Sequence, residues 1–320
     1  MSKAKVSVII PVYNAERYIA ETLQSVCGQT YPHMEVLCID DGSTDDSGRY
    51  IREFAARDDR IHYYYMENRG VSHARNEGLR QAVGEYVAFV DADDCIASRM
   101  LEEMVAAAQK TSADVAVCRY DTEMTEEAVV PVGESAVITP EDVIQEMMMP
   151  RQQMAAFVWN RLYRRSFLEE NRIRFDTEVR VAEDTLFNYE CLCNGARVVE
   201  VPAVLYHYRI HEDSCMFQKG FHRAKLTANV SYDRMLAGPH PKEWDKPIRL
   251  GCMGYNIMML WQIYKYSVDI DVDQKKKIHS YLDMDPWGYL RSSAAMKYKL
   301  GLMVLRFCPW ILTGIYRKSV

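Results

Sequence analysis

The chain has 320 residues, is 48% hydrophobic and 26% charged, and carries a formal net charge of −6. That length holds one large α/β domain with an extension, or two domains, and the composition excludes a disordered chain. The acidic balance argues against bulk nucleic-acid binding, so no nucleic-acid partner is expected. The nine cysteines are an odd number without a CxxC pair. Cys191 and Cys193 fall two apart in a predicted helix, on different sides. The pattern reads as a reduced, cytosolic chain with neither a zinc site nor a disulfide framework. The opening MSKAKVSVIIPVYN has an apolar run too short for a signal peptide.

Residues 6–11 form an apolar run suited to a central parallel strand, and Val12, Tyr13 and Asn14 make the loop after it. Residues 18–29 are helical by the spacing of Ile19, Leu23 and Val26. Residues 34–39 form a second strand that ends in Asp40-Asp41-Gly42-Ser43-Thr44-Asp45, a polar turn into a helix over about 46–57. A third strand spans 61–66. Asn68-Arg69-Gly70 turn the chain, and Ser72 is placed to cap a helix reaching about Ala82. Residues 85–90 form a buried strand, followed by a helix over 98–110 and a strand over 114–120. Strands alternating with helices through short links indicate βαβ units and a parallel sheet covered on both faces.

The strand over 85–90 runs into Asp91, Asp93 and Asp94. Three carboxylates at a strand end repel one another and raise one another's pKa, a conflict that a divalent cation removes. Hard oxygen ligands at this spacing suit Mg²⁺ or Mn²⁺, with positions left for phosphate oxygens. The alternative is a solvated loop whose acids cap the next helix.

In such sheets ligands bind outside the carboxyl ends of the strands. Those ends carry residues 11–14 (Pro11 to Asn14), 40–44, 67–70 and 91–94, so the polar chemistry converges on one edge. Tyr13 offers a face for a base to stack on, or packs as a loop aromatic. Asp41 is suited to accept a hydrogen bond from N3–H of uracil, while turn and capping chemistry is the alternative for Asp40 and Asp41. Arg75 has the fork to hold a ribose or phosphate, or is an ordinary surface charge. No G-x-G-x-x-G or P-loop pattern follows the first strand.

The segments VSVIIPVYNAERYIAETLQSVCGQTY, EVLCIDDGSTDDSG, NRGVSHARNEGL and GEYVAFVDADD, in this order, closely resemble the family 2 glycosyltransferases of GT-A fold. The match covers roughly the first 120 residues in detail. The resemblance implies a Rossmann-like, mostly parallel central sheet flanked by helices. It also implies a nucleotide-sugar donor, usually UDP-linked, delivering a hexosyl or N-acetylhexosaminyl group with inversion, and a divalent metal. It places Asp41 on the base, Asp93 on the metal and Asp91 near the ribose and metal, with Ala74, Arg75 and Asn76 lining the nucleotide.

In the second half, Pro140-Glu141-Asp142 start a helix to about Met149, whose methionines read as core filler. AAFVWNRLYRRS resembles the family's acceptor-side segment, with Arg161 in place of the usual lysine; Trp159 either stacks on a sugar face or fills the core, and Asn160 follows it. Glu183 and Asp184 open a helix, where acids either complement its dipole or supply a general base for a sugar hydroxyl. The resemblance favours the base reading, with Asp184 as base and Glu183 orienting it or the acceptor. VLYHYRI reads as a strand resembling a family Tyr-Tyr-Arg-x-His element, which puts Arg209 and His211 at the diphosphate or metal; a structural role is the alternative for His211.

From Phe221 the chain looks helical. After Asp285 it has no acidic residue, yet carries Arg291, Lys297, Lys299, Arg306, Arg317 and Lys318 around LGLMVLRFCPWILTGIY. That stretch is short for a spanning helix and reads as a basic amphipathic segment on an anionic membrane surface, or as a helix packed on the protein itself. The expected division is a GT-A catalytic domain over 1–220, with a nucleotide-binding half over 1–120 and an acceptor half over 121–220, and a helical extension over 221–320. The expected function is transfer of a sugar to a glycan or lipid-linked acceptor in cell-surface polysaccharide synthesis, by a cytoplasmic protein peripheral on the inner face of the plasma membrane. Two other readings compete. A nucleotidyltransferase would need a glycine- and arginine-rich loop where PVYNAERY stands, and a silent homologue sits poorly with Asp91, Asp93 and Asp184 all present.

Overall fold

The computed structural model describes residues 4–122, 133–149, 156–211 and 220–307. Residues 123–132, Ala155 and the end of the basic tail, with Pro309, Arg317 and Lys318, lie outside the described residues.

Among the described residues, nine strands form one sheet: β1 (Val6–Val12), β2 (Met34–Asp41), β3 (Ile61–Met66), β4 (Tyr86–Phe89), β5 (Cys95–Ile96), β6 (Val115–Asp121), β7 (Ala136–Ile138), β8 (Arg161–Arg164) and β9 (Val198–His207). Their order is β3-β2-β1-β4-β8-β6-β9-β5, with β7 also on β9. Strands β1, β2, β3, β4, β6 and β9 run one way, while β5, β7 and β8 run the other. The expected parallel sheet is therefore continuous over β3-β2-β1-β4, and the antiparallel pairs fall in the half that begins with β8. Between the strands lie α1 (Ile19–Cys27), α2 (Ser47–Ala55), α3 (Val71–Gln81), α4 (Met100–Thr111), α5 (Pro140–Met148), α6 (Arg165–Glu170) and α7 (Glu183–Cys193). The extension adds α8 (Ala228–Ala237), α9 (Asp245–Lys265), α10 (Val272–Tyr281), α11 (Pro286–Arg291) and α12 (Met296–Phe307).

Strands β1 and β2 are buried at every residue and are apolar apart from Ser7, Glu35 and the closing Asp40 and Asp41. Alternation still sorts their side chains. Ile9, Leu37, Ile39, Val87 and Phe89 face one core, with residues of α3, α5, α7 and the extension residues Met235, Trp244 and Ile248. Val8, Ile10, Val36, Cys38 and Ala88 face the other, under α1 and α4. A third cluster joins α9 to α10, α11 and α12 through Met253, Ile257, Leu260, Ile278, Tyr289, Leu302 and Leu305.

Three local expectations shift. Strand β2 runs two residues further, so Asp40 and Asp41 lie on the strand and not in the turn. Strand β9 begins at Val198, before the residue 204 read from sequence. Ser72 does not cap α3: the N-cap is Gly70, at φ 96°, and the Ser72 hydroxyl reaches the Val179 carbonyl at 3.4 Å. Glycine is favoured at position 70 because an L side chain strains at that φ. Within α3, Gly78 lets the helix close on β1, since a Cβ there would stand 2.3 Å from Ile9 Cγ2.

Candidate active site

Register brings the chemistry to one edge. Val12 pairs with Asp40, Asp41 with Met66, and Ile9 with Phe89, so the carboxyl ends of β1, β2, β3 and β4 finish together. Pro11 is buried on β1, and Tyr13, the first residue past the strand, is 54% exposed. The loop carrying Tyr13 is tied to the loop after β2. The Asn14 amide donates to Ser43 Oγ at 3.0 Å, the Thr44 amide donates to Asn14 Oδ1 at 2.8 Å, and the Ala15 amide donates to Ser47 Oγ at 2.8 Å.

The two aspartates closing β2 point to opposite faces and do different work. Asp40 accepts from the Ser43 amide (2.8 Å) and the Tyr63 hydroxyl (2.7 Å), which is turn chemistry. Asp41 accepts the Arg69 and Gly70 amides, each at 2.8 Å. Asp41 is itself buried, and each of its oxygens has a second lone pair not used by these two amides.

After β4 the acids fold into a tight turn, with the Asp94 amide donating to the Asp91 carbonyl at 3.1 Å. Asp94 is fully buried. It accepts from the Tyr206 hydroxyl at 2.7 Å and from the Arg209 amide at 2.8 Å. Burial, then the charges of Asp91 and Asp93, raise its pKa. Tyr206 also receives the Asp91 amide at 3.1 Å, so one phenol spans the turn. Asp93 meets His211 Nε2 at 2.8 Å, and the His211 ring stacks on Tyr18 at 4.5 Å. Arg209 donates from Nε to the Asp93 carbonyl at 2.9 Å and pairs with Glu21.

Arg75 is a buried hub, 4% exposed, and not the surface charge that its helical position allowed. One guanidinium nitrogen meets Asp184 at 2.7 Å and Glu183 at 3.1 Å, and the other meets Asp91 at 3.1 Å. Its neighbours on α3 also turn inward: Ala74 is fully buried, and Asn76 clamps the Phe175 backbone at 2.8 and 2.9 Å. Ala182, left-handed at φ 66°, turns the chain into α7 just before Glu183. Burial first, then Asp184, raises the Glu183 pKa, against the pull of Arg75. Burial also raises that of Asp91, with Asp93 and Asp184 adding to it and Arg75 opposing. The 27% of the Asp91 side chain left in contact with water tempers that push.

The acceptor-side expectations need correction. Trp159 is 2% exposed, and its ring stacks on Tyr206 at 4.3 Å and on Phe157 at 4.5 Å, so no face is open to a sugar. Asn160 is fully buried and donates to the Cys118 carbonyl at 2.8 Å. Both brace the site from within, Trp159 by backing the phenol that holds Asp91 and Asp94. Asn188 was not foreseen. One turn along α7 from Asp184, it donates to the Ala156 carbonyl at 2.9 Å and so holds the backbone that reaches Asp184 through the Val158 amide at 3.3 Å.

Among the described residues, no three His, Cys, Asp or Glu side chains form a metal cage. The carboxylate of Asp93 suits Mn²⁺ or Mg²⁺ where further ligands come from phosphate oxygens, and a nitrogen donor such as the His211 imidazole beside it favours the transition metal Mn²⁺ of the two. The residues thus fit a metal carried jointly with a diphosphate.

Residues 7–172 match the model of glycosyl transferase family 2. The chain is 32% identical over 331 residues to the uncharacterized glycosyltransferase EpsJ of Bacillus subtilis, covering 98% of this chain and 94% of that protein. It is 35% identical over 248 residues to the glycosyltransferase GlyA of Streptococcus pneumoniae, covering 71% of this chain and 35% of that one. Among solved structures, S. aureus TarS 1-349 superposes with a TM-score of 0.65 at 22% identity, over 99% of this chain and 92% of the other. The mannosyltransferase PcManGT of Pyrobaculum calidifontis, solved with GDP-Man and Mn²⁺, gives a TM-score of 0.60 at 18% identity, over 97% and 88%. The chain belongs to glycosyltransferase family 2 and has the GT-A fold.

Proposed function

We propose that this glycosyltransferase moves a hexosyl or N-acetylhexosaminyl group from a UDP-sugar to a hydroxyl of a glycan or lipid-linked acceptor, with inversion, in cell-surface polysaccharide synthesis. The observation that carries the reading is the Arg75 hub, which joins the acid at the end of β4 to the acid pair at the start of α7. Donor-side and acceptor-side groups thereby share one cleft edge. TarS has been solved with UDP and with UDP-GlcNAc, which supports a uridine donor here.

In this reading Tyr13 stacks on the base and Asp41 accepts from the base N3–H, while Pro11 and the fully buried Ala74 act from beneath as packing and not as a lining that touches the nucleotide. Asp91, Asp93 and His211 would hold Mn²⁺ or Mg²⁺ against the diphosphate, and the metal would offset charge developing on the leaving UDP. Asp184 takes the proton of the acceptor hydroxyl as that oxygen attacks the face of the sugar opposite the diphosphate. Glu183 orients that carboxylate through the shared Arg75. Trp159 and Asn160 support the acceptor side without touching sugar. Residues 1–220 make the catalytic body and 221–320 an extension by which the chain works as a peripheral protein on the cytoplasmic face of an anionic membrane.

The test is UDP release across a panel of UDP-hexoses and UDP-N-acetylhexosamines with Mn²⁺, with NMR of the anomeric proton in the product. Release with one UDP-sugar and a product of inverted configuration is expected. Release from GDP-sugars alone, or a retained configuration, would overturn the reading.

A further inference from the structure

The last described helix, α12, is apolar on two opposite faces. Gly301, Leu302 and Leu305 of α12 are buried, the two leucines within the α9–α11 cluster. Met296, Leu300, Met303 and Phe307 are 67%, 60%, 42% and 61% exposed. Their spacing of four, three and four residues puts them in a stripe within about 60° of helix arc. By the same periodicity Lys297 flanks that stripe on one side, and Lys299 and Arg306 flank it on the other. Arg306 pairs with Asp283, and Lys299 donates to the Ser292 carbonyl at 2.7 Å, so the bases are held near the helix surface. Trp287, 68% exposed, lies on the adjoining α11. No described helix is long and apolar enough to cross a membrane.

We infer that the outer stripe of α12 is the face that docks the protein on an anionic lipid surface, with Leu300, Met303 and Phe307 in the acyl boundary and Lys297 and Lys299 at the headgroups. The inference deepens, and rests on, the peripheral-membrane part of the proposed function by assigning it to named residues. Charge selects the occupant. The last 35 residues contain six basic residues and no acid, in a chain of net charge −6, and among the described residues only Arg306 of the three on α12 is balanced by an acid, Asp283. An isologous contact between two copies would set this basic patch against itself, because a two-fold axis pairs a surface with its own copy. Anionic headgroups complement it, and lysine and arginine stems extend along apolar surface while their charges reach the headgroup level. A stripe of large apolar side chains between basic flanks is the pattern of a helix lying in the plane of the interface.

The test is co-sedimentation of the full chain with phosphatidylglycerol vesicles and with phosphatidylcholine vesicles, for the parent and for a variant carrying Leu300→Glu and Phe307→Glu. Leu300→Ser serves as a milder second variant, and melting curves confirm that each is folded. Binding of the parent to phosphatidylglycerol, weakened by salt, and loss of at least about tenfold in the double variant are expected. Undiminished binding by folded variants would assign the contact to another part of the chain and overturn the inference. Equal binding to both vesicle types, or to neither, would also overturn it. A parent dimer that the double variant converts to monomer, without vesicle binding, would assign the stripe to a second copy instead. Stabilisation by UDP, measured on the same samples, reports on the active site separately; its absence would count against the donor reading and leave the docking face standing.

Discussion

Arg75 and Asp184, 109 residues apart in sequence, meet at 2.7 Å in the interior of the cleft edge. The same guanidinium nitrogen reaches Glu183, and its twin reaches Asp91. Three acids crowd one buried cation. Removing the cation leaves carboxylates without a counter-charge in a poorly hydrated site, which is among the costlier single changes a fold meets.

Arg75→Ala is therefore expected to destabilise the protein by about 3–5 kcal/mol. Chemical denaturation of parent and variant measures it. Arg75→Lys keeps the charge and loses the fork, since an ammonium is a point donor that does not span two acids as a planar guanidinium does. Transfer by the lysine variant should fall more steeply than its stability.

Asp184→Asn should leave UDP binding intact and lower transfer by about 10²–10⁴-fold, the usual range for loss of a general base. Glu183→Gln should lower transfer less, since its proposed part is to orient. Single-turnover assays separate the two from any binding defect. Equal effects would exchange or merge the roles.

The raised pKa of Glu183 has a signed consequence. Burial and the neighbouring Asp184 lift it from 4.5 to about 8. Below the ordinary glutamate value the group is protonated in both folded and unfolded states, and above about 8 it is ionised in both. Between those limits the folded state binds more protons, so stability falls as pH rises through the window. Melting temperature against pH for the parent should drop across that range relative to Glu183→Gln, and parallel profiles would refute the assignment.

Asp41 ties two backbone amides, so its removal affects shape as well as recognition. Asp41→Asn places an amide NH₂ against the Arg69 or Gly70 N–H and should cost about 1–3 kcal/mol. It should also narrow the difference between UDP and CDP in thermal stabilisation. Unchanged discrimination would take Asp41 off the base.

Much of this was legible in the sequence because the first half obeys local rules. Strands β1, β2 and β4 are mainly apolar runs, β3 is the half-exposed edge strand, each is followed by polar residues, and a parallel sheet sends those ends to one edge. The four ordered motifs made the family readable as well. The errors share a cause. Trp159 next to Asn160 looks the same whether it meets a sugar or four other rings, because the partners Tyr120, Phe157, Tyr206 and Tyr208 come together only in the folded chain. For Arg75 the sequence offered a ribose or phosphate contact, or a surface charge; the ion-pair hub was hidden because its acids, Asp91 just after β4 and Glu183 and Asp184 of α7, lie 16 to 109 residues on. Ser72 was a plausible cap, but the left-handed Gly70 had already turned the backbone, and its amide belongs to Asp41. Tyr206 carried one faint signal, the alternation of aromatic residues at 206 and 208 along β9 and beyond its end, which marks a shared face.

The most direct measurement is thermal stabilisation by UDP, GDP, CDP and dTDP, each with and without Mn²⁺, on the parent chain and on Asp93→Asn. A ligand that binds only the native state raises the melting temperature with its affinity. UDP should stabilise most, Mn²⁺ should enlarge that effect, and Asp93→Asn should abolish the enlargement while keeping a residual response to UDP. A parent indifferent to every nucleotide, or a metal effect that survives Asp93→Asn undiminished, would contradict the assignment of this cleft edge as a metal-assisted nucleotide-sugar site.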